Sequence, residues 1–206
     1  KAKGEEFVSH FPKDLVFFHH CDIGYPEQAT SVVSETLRRF GDIDIVHNNA
    51  GSGAIGAVTE LEPSEWSRVM RVNLDAPFHI SRAAITHMKK QTQKKTRGVI
   101  INTISTSGIV SDSGLAVYSA SKAGLANLTR AMAADHAAEG IRVNGVAPGY
   151  TRTGMSTAIS ADPNWSKQFE SAVPMNRIAE ANELAATMMF LASDDASYIT
   201  GASEYL

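Results

Sequence analysis

Three side chains in this sequence can together move a proton on and off an oxygen. Ser105 follows the run Ile101-Asn102-Thr103-Ile104, Tyr118 comes thirteen residues later, and Lys122 four after that. The segment Tyr118-Ser119-Ala120-Ser121-Lys122 reads as helical, so the i, i+4 spacing sets Tyr118 and Lys122 on one face. An ammonium beside a phenol favours the phenolate and is expected to lower the Tyr118 pKa. A hydroxyl at Ser105 can hold a substrate oxygen next to that phenol. The trio can then pass a proton to or from a carbonyl or alcohol oxygen. Taken alone, a Tyr and a Lys one turn apart are more often a surface pair.

Short β-branched runs alternate with longer helical stretches along the chain. A first strand is expected from residues 15–18 to near Asp22. Pro26 then fits the first turn of a helix, where its missing N–H costs nothing. Ala29, Val32, Val33, Leu37 and Phe40 give that helix an apolar stripe, and Gly41 stops it. Ile43, Ile45 and Val46 form the next strand. Residues 62–66 open a helical region that runs in one or two pieces to about Lys90, with Trp66, Val69, Met70, Val72 and Phe78 on its inward side. Residues 98–104 are nearly all apolar, as in a parallel sheet covered on both faces. A helix over 117–138, a strand over 141–146, a helix over 180–191 and a strand from Ile199 complete the pattern. This alternation implies an α/β fold with a doubly wound, mostly parallel, Rossmann-like sheet in a three-layer αβα arrangement. One domain over 1–206 is expected. The least regular stretch, 149–173, reads as a substrate lid. Inside it Trp165 and Phe169 stand one turn apart, placed to line a pocket or to pin the lid down, and Met155 invites the same choice.

Composition narrows the classes. The chain has 206 residues, enough for one sizeable core, and 43% of them are apolar. A formal charge of −3 gives no electrostatic reason to expect nucleic acid or an anionic membrane as a partner. The single cysteine excludes an intrachain disulfide and fits a reducing, cytoplasmic setting. No apolar run reaches the roughly 18 residues of a membrane span. The segment Gly51-Ser52-Gly53-Ala54-Ile55-Gly56 matches G-x-G-x-x-G, but the next clear helix start is only at Pro63. It therefore reads as a loop bordering a ligand crevice and not as a dinucleotide fingerprint. His19, His20 and Cys21 have no second ligand pair at metal-site spacing, and no metal is expected.

The ensemble of motifs resembles the short-chain dehydrogenase/reductase family. The matching residues are Asn48-Asn49-Ala50-Gly51 after a strand, Asn73 in Val72-Asn73-Leu74, Ser105 after its strand, Tyr118-Ser119-Ala120-Ser121-Lys122, and Pro148-Gly149-Tyr150-Thr151-Arg152-Thr153. Their order and spacing run across nearly the whole chain. The resemblance implies an NAD- or NADP-dependent oxidoreductase that moves a hydride between nicotinamide and a secondary alcohol or ketone, of 3-oxoacyl, sugar or polyol type. It implies that Tyr118 is the acid/base, that Ser105 bonds the substrate oxygen, and that Lys122 holds the nicotinamide ribose. Asn73 would anchor a water linking Lys122 to solvent. Asp22 and Ile23 would line the adenine, and Asn49, Ala50 and Gly51 the adenosine ribose. Pro148, Gly149, Tyr150 and Thr151 would border the nicotinamide, with Thr153 near its amide or the phosphates. It also implies a homodimer or homotetramer built on the helices over 63–90 and 117–138.

The family opens with a strand, Thr-Gly-x-x-x-Gly-x-Gly, a helix and a second strand, and residues 1–206 contain none of these. The resemblance therefore implies a chain incomplete at its amino terminus by roughly 40 to 50 residues. In the family's sheet order, 3-2-1-4-5-6-7, the strand at Val16 and the strand at Ile45 are separated by the two missing ones. Residues 16–18 would then have no backbone partner. A second reading, a non-catalytic module that does not hold the dinucleotide, arises from the same gap.

Overall fold

The computed structural model of the protein describes residues 1–156 and 163–206, and their side chains apart from those of 163–166. In chain order the elements are α1 (Ala2–Val8), α2 (Pro26–Phe40), β1 (Ile45–Asn48), α3 (Pro63–Met70), a π-helical turn (Arg71–Asp75), α4 (Ala76–Met88), β2 (Gly98–Thr103) and α5 (Ala116–His136). They continue with β3 (Ile141–Ala147), β4 (Thr151–Arg152), α6 (Pro163–Ala172), β5 (Ala179–Glu180), α7 (Ala181–Ala192) and β6 (Ser203–Tyr205). Strands β1, β2, β3 and β6 lie side by side in that order, all parallel. The strands near Ile45, Ile101 and Val143 are thus neighbours, as the apolar runs imply.

Local chemistry explains where the elements start and stop. Pro26 sits in the first turn of α2, and Gly41 closes it with φ 82°, a left-handed conformation that suits glycine. Helix α7 opens with a capping box between Glu180 and Glu183. Every residue of β3 is buried, which only a sheet covered on both faces allows. On one face Ile100, Ile141 and Val143 meet Val33 of α2, Ala84, Ile85 and Met88 of α4, and Met132 and Ala133 of α5. On the other, Val99, Ile101 and Val146 meet Leu191 of α7 and Ala196. The result is a helix–sheet–helix sandwich around the ends of the strands that carry the site.

A polar chain crosses this apolar interior. Asn48 stands in register with Asn102. Its Nδ2 donates to Asn102 Oδ1 at 2.8 Å and to Ser81 Oγ at 3.1 Å, and Asn102 Nδ2 donates to Thr129 Oγ1 at 2.8 Å. Thr129 Oγ1 in turn donates to the Leu125 carbonyl at 2.8 Å. Each of these side chains is buried and each has a partner, as burial of an amide requires.

Several expectations need correction. Residues 15–22 form no strand. Their apolar pattern suits one, but a strand exists only as part of a hydrogen-bonded ladder, and among the described residues β1 pairs with β2 alone. Phe17 lies instead under the Arg39 guanidinium, 4.3 Å from its ring centre, and Phe18 rests against Gly4 of α1. Trp66 and Phe78 are exposed, not inward, while Val69 is fully buried. The π turn between α3 and α4 inserts an extra residue per turn and shifts the angular phase of α4 against α3, so a single helical stripe cannot be carried from Trp66 to Phe78. The last strand begins at Ser203, not Ile199, because the turn 194–196 and the bend after it come first. Of the stretch read as a lid, β4 and α6 have regular structure, 157–162 lie outside the described residues, and so does the Trp165 side chain.

Candidate active site

Strand β2 delivers Ser105, which opens a short 3-10 turn over Thr106–Gly108. The Ser105 Oγ accepts a hydrogen bond from the Ser107 N–H at 3.2 Å. This turn lies directly on the backbone of α5. A Cβ on Gly108 would sit 2.9 Å from the Lys122 carbonyl carbon and 3.0 Å from the Ala123 nitrogen, closer than real side chains pack. Glycine at 108 is what lets the Ser105 loop approach the helical turn that bears Lys122. Ser111 Oγ, donating to Ser119 Oγ at 2.9 Å, ties the rest of the loop to the same helix.

Tyr118 and Lys122 share one face of α5, and Tyr118 is hydrogen-bonded with Ser105. Lys122 is only 3% exposed. Its Nζ donates to the Thr103 carbonyl at 2.7 Å and lies 5.8 Å from the Tyr118 ring centre. Burial pushes the Lys122 pKa down to about 8. Tyr118 departs from the sequence expectation. Burial raises its pKa, and the Ser105 hydrogen bond pulls the other way without cancelling it. Loss of water around the phenol sets the direction, and the Lys122 ammonium is turned to the Thr103 carbonyl.

Asn73 stands in the middle of the π turn and is completely buried. Its Oδ1 accepts from the Ser52 N–H at 2.8 Å, and its Nδ2 donates to the Ser52 carbonyl at 2.9 Å and to Ser121 Oγ at 3.0 Å. Both of its amide hydrogens are therefore engaged by protein. Through these bonds Asn73 pins the loop after β1. That loop, carrying the G-x-G-x-x-G match, leads into no helix before Pro63. A Cβ on Gly51 would lie 3.7 Å from both Asn73 Oδ1 and Lys122 Nζ. The Ser52 hydroxyl is buried and has no hydrogen-bond partner among the described residues. Only one of the three Lys122 N–H groups has a protein acceptor among them. Gly51, Ser52, Asn73 and Lys122 thus gather beside Tyr118, and the unengaged Lys122 N–H groups suit sugar hydroxyls.

The other residues anticipated from sequence surround this centre at different distances. Asn49 is exposed at the end of β1, and its Oδ1 accepts from Thr103 Oγ1 at 3.0 Å; the same hydroxyl meets His47 Nε2 at 3.0 Å. Ala50 is exposed beside it. The Pro148 carbonyl accepts from the Thr106 N–H at 3.1 Å, which brings the loop after β3 against the Ser105 turn. Gly149 N–H donates to the Leu206 carbonyl at 2.7 Å, and Thr151 Oγ1 to the Gly149 carbonyl at 3.2 Å. Tyr150 stacks on Phe169 with ring centres 4.2 Å apart. Thr153 N–H donates to Ser156 Oγ at 2.9 Å. Asp22 is turned to its own chain, its Oδ1 accepting from the Gly24 N–H at 2.9 Å, with half-buried Ile23 between them. Gly24 faces the π turn at Val72, so residues 22–24 flank the centre without joining it.

Sequence reasoning passes over Thr103, Ser52, Ser121 and Gly108. A polar pair, Asn102-Thr103, inside an otherwise apolar strand is the available signal for the first. The second serine of Tyr-Ser-Ala-Ser-Lys is the signal for Ser121. Nothing local marks Gly108, whose role lies in a contact with a helix.

Comparison with known proteins agrees with this geometry. A family profile described as enoyl-(acyl carrier protein) reductase matches residues 1–206. The meso-2,3-butanediol dehydrogenase of Serratia marcescens is 36% identical over 207 residues, covering 98% of this chain and 78% of the relative. The acetoacetyl-CoA reductase of an Acinetobacter species is 36% identical over 191 residues, 93% of this chain and 75% of the relative. Among solved structures, a gluconate 5-dehydrogenase from Burkholderia cenocepacia in complex with NADP and tartrate superposes with TM-score 0.87 at 30% identity, covering 100% of this chain and 78% of that one. With its parallel sheet, its Ser105–Tyr118–Lys122 centre and these relatives, the chain belongs to the short-chain dehydrogenase/reductase family of NAD(P)-dependent oxidoreductases acting on alcohols and ketones.

Proposed function

We propose that Ser105, Tyr118, Lys122 and Asn73 are the working residues of this oxidoreductase. The observation that carries the assignment is the convergence of Lys122 Nζ, Gly51 and the Ser105–Tyr118 hydrogen bond at the ends of β1 and β2. Ser105 holds the substrate oxygen, and Tyr118 gives it a proton in reduction or takes one in oxidation. Lys122, with two N–H groups left for a ligand, holds the nicotinamide ribose. Asn73 keeps the loop after β1 in place, and its main-chain carbonyl or the second lone pair of Oδ1 is left to anchor a water. Bound NAD or NADP supplies or accepts the hydride. Asn49, Ala50 and Gly51 border the adenosine side, Asp22 and Ile23 the adenine, and 148–153 the nicotinamide. Residues 149–173 act as the lid.

The pyrophosphate is assigned to a strand, glycine-rich loop and helix that residues 1–206 do not contain. The unpaired outer edge of β1 and the unladdered residues 16–22 support that reading. Charge-assisted bonds from such a loop contribute about 1.5–3 kcal/mol each, so their loss weakens binding by orders of magnitude. Titration calorimetry of residues 1–206, and of the product of the complete reading frame, against NADH and NADPH tests this. Weak binding by the first and micromolar binding with turnover by the second is the expected result. Micromolar binding by residues 1–206 would refute it. Binding without turnover by the complete product would favour the non-catalytic module.

Exposed Trp66 and Phe78 support assembly through the helices over 63–90 and 117–138 into a dimer or tetramer. Sedimentation of the complete product as a monomer would contradict it. The lone cysteine supports a cytoplasmic setting, which fractionation of expressing cells checks.

A further inference from the structure

Three loops come up beside Ser105 and Tyr118. The first comes after β1. A Cβ on Gly53 would lie 3.9 Å from Tyr118 Cδ2, and Ile55 sits against Gly114, where the Gly56 N–H donates to the Gly114 carbonyl at 3.0 Å. The second is the chain after the Ser105 turn, through Ile109, Val110 and Asp112. The third comes after β3 and brings Tyr150 and Met155. The second and third meet, since Thr106 bonds Pro148 and the Asp112 charge is felt by the Tyr150 phenol.

Apolar side chains dominate what these loops show to solvent. Ile55 is 83% exposed, Val110 72%, Met155 60% and Ile109 53%. Tyr150 with Phe169 adds an aromatic wall. Isolated apolar residues on a surface need no explanation, but a cluster around a reacting centre does.

The charges of the rim point the same way. Each arginine near these loops is already matched. Arg68 bonds Glu65 at 2.6 Å and also the Gly53 carbonyl at 2.9 Å. Arg152 bonds Glu180 at 3.0 Å, and Arg177 bonds Glu183 at 2.6 Å. Lys167 on α6 is two residues from Phe169, about 200° round the helix and so away from the Tyr150 stack. Lys122 is buried against Thr103. Among the described residues the rim thus presents the carboxylates Asp112 and Glu60 and no unmatched cation.

We infer that the substrate is an uncharged secondary alcohol or ketone whose carbon flanks are apolar, in preference to one bearing a carboxylate, a phosphate or a row of hydroxyls. The inference rests on the dehydrogenase reading proposed above and goes beyond it to the substrate class. A carboxylate at this mouth would be desolvated against Ile55, Ile109 and Val110 and would face Asp112, with no unmatched cation among the described residues to meet it. An alkyl flank would cover those same side chains.

The test uses the product of the complete reading frame with whichever nicotinamide cofactor it turns over. Three ketones are compared by kcat/KM: heptan-2-one, 5-oxohexanoate and a pentulose. The first two share the methyl ketone and differ in an alkyl or carboxylate tail. Heptan-2-one is expected to lead each of the others by roughly tenfold or more. Val110→Arg, at an exposed position, is expected to raise kcat/KM for 5-oxohexanoate several-fold and leave melting unchanged. Asp112→Asn should move it the same way by less. Equal or better use of 5-oxohexanoate or the pentulose by the unmodified protein overturns the substrate class while leaving the dehydrogenase reading standing. No turnover of any alcohol or ketone overturns both.

Discussion

The Lys122 ammonium donates to the Thr103 carbonyl across 2.7 Å, and this bond ties the reactive turn of α5 to the end of β2. It also fixes how the lysine titrates. Its pKa of about 8 lies below the ordinary lysine value of 10.5 because the charge is held away from water. Between these two values the unfolded chain binds more protons at Lys122 than the folded one, so this group's contribution to stability rises as pH rises through that window. Below about pH 8 both forms are charged and the folded state carries the full burial penalty. Comparing the protein with Lys122→Met by urea unfolding at several pH values isolates this contribution. The protein is expected to gain on the variant by up to about 3 kcal/mol from pH 8 to 10.5. A difference that stays flat over that range would show Lys122 to be solvated.

Tyr118→Phe removes the one O–H placed to exchange a proton beside Ser105. Turnover should fall about 10²–10⁴-fold. Only one hydrogen bond is lost, so unfolding should shift by about 1 kcal/mol or less. Steady-state rates and thermal melts are the two readouts. A variant with unaltered turnover would take the acid/base role away from Tyr118.

Asn73→Ala strips partners from the Ser52 N–H, the Ser52 carbonyl and the Ser121 hydroxyl at once. Unmatched buried polar groups cost about 1–3 kcal/mol each, and the loop can recover part of that by admitting water. A loss of about 2–5 kcal/mol in denaturant unfolding is expected. Asn73→Asp should not rescue it, because a carboxylate would face the Ser52 carbonyl without a donor.

Gly108→Ala places a methyl against the Lys122 backbone. The Ser105 turn must move, at a cost of about 1–3 kcal/mol. The larger effect should fall on kcat, since Ser105 no longer meets Tyr118 at the same distance. Alanine at Gly154, where a Cβ would have nothing within 4 Å, is the control and should melt like the parent. If Gly108→Ala melted and turned over like that control, the close approach would carry no function.

Much of this is legible in the residues. The nearly continuous apolar run before Asn102 identifies a strand covered on both faces, and shorter β-branched stretches mark β1 and β3. The spacing of Tyr118 and Lys122 identifies a shared helix face. Two kinds of information are not local. Residues 15–22 have the composition of a strand, yet strand formation depends on neighbours at the sheet edge. The spacing places Lys122 beside Tyr118 but says nothing of how deeply the phenol is buried, and so spacing alone gives the wrong sign for the Tyr118 shift. An unbroken helical period puts Trp66 and Phe78 in the interior, and the π turn breaks that period.

The Asn48–Asn102 bond acts on the site from a distance, as a vernier does on a scale. Slipping β1 by one residue along β2 would carry the Asn48 amide to the other face of the sheet and leave Ser81 Oγ and Asn102 Oδ1 without its hydrogens, at about 1–3 kcal/mol for each stranded group. Hydrophobic contacts alone would resist such a slip less sharply, since Val46, Ile100 and Ile101 are nearly interchangeable in size. Gly51 stands three residues beyond Asn48, and Ser105 three beyond Asn102. The height at which their two loops meet is therefore counted off by a pair of asparagines that touch neither of them.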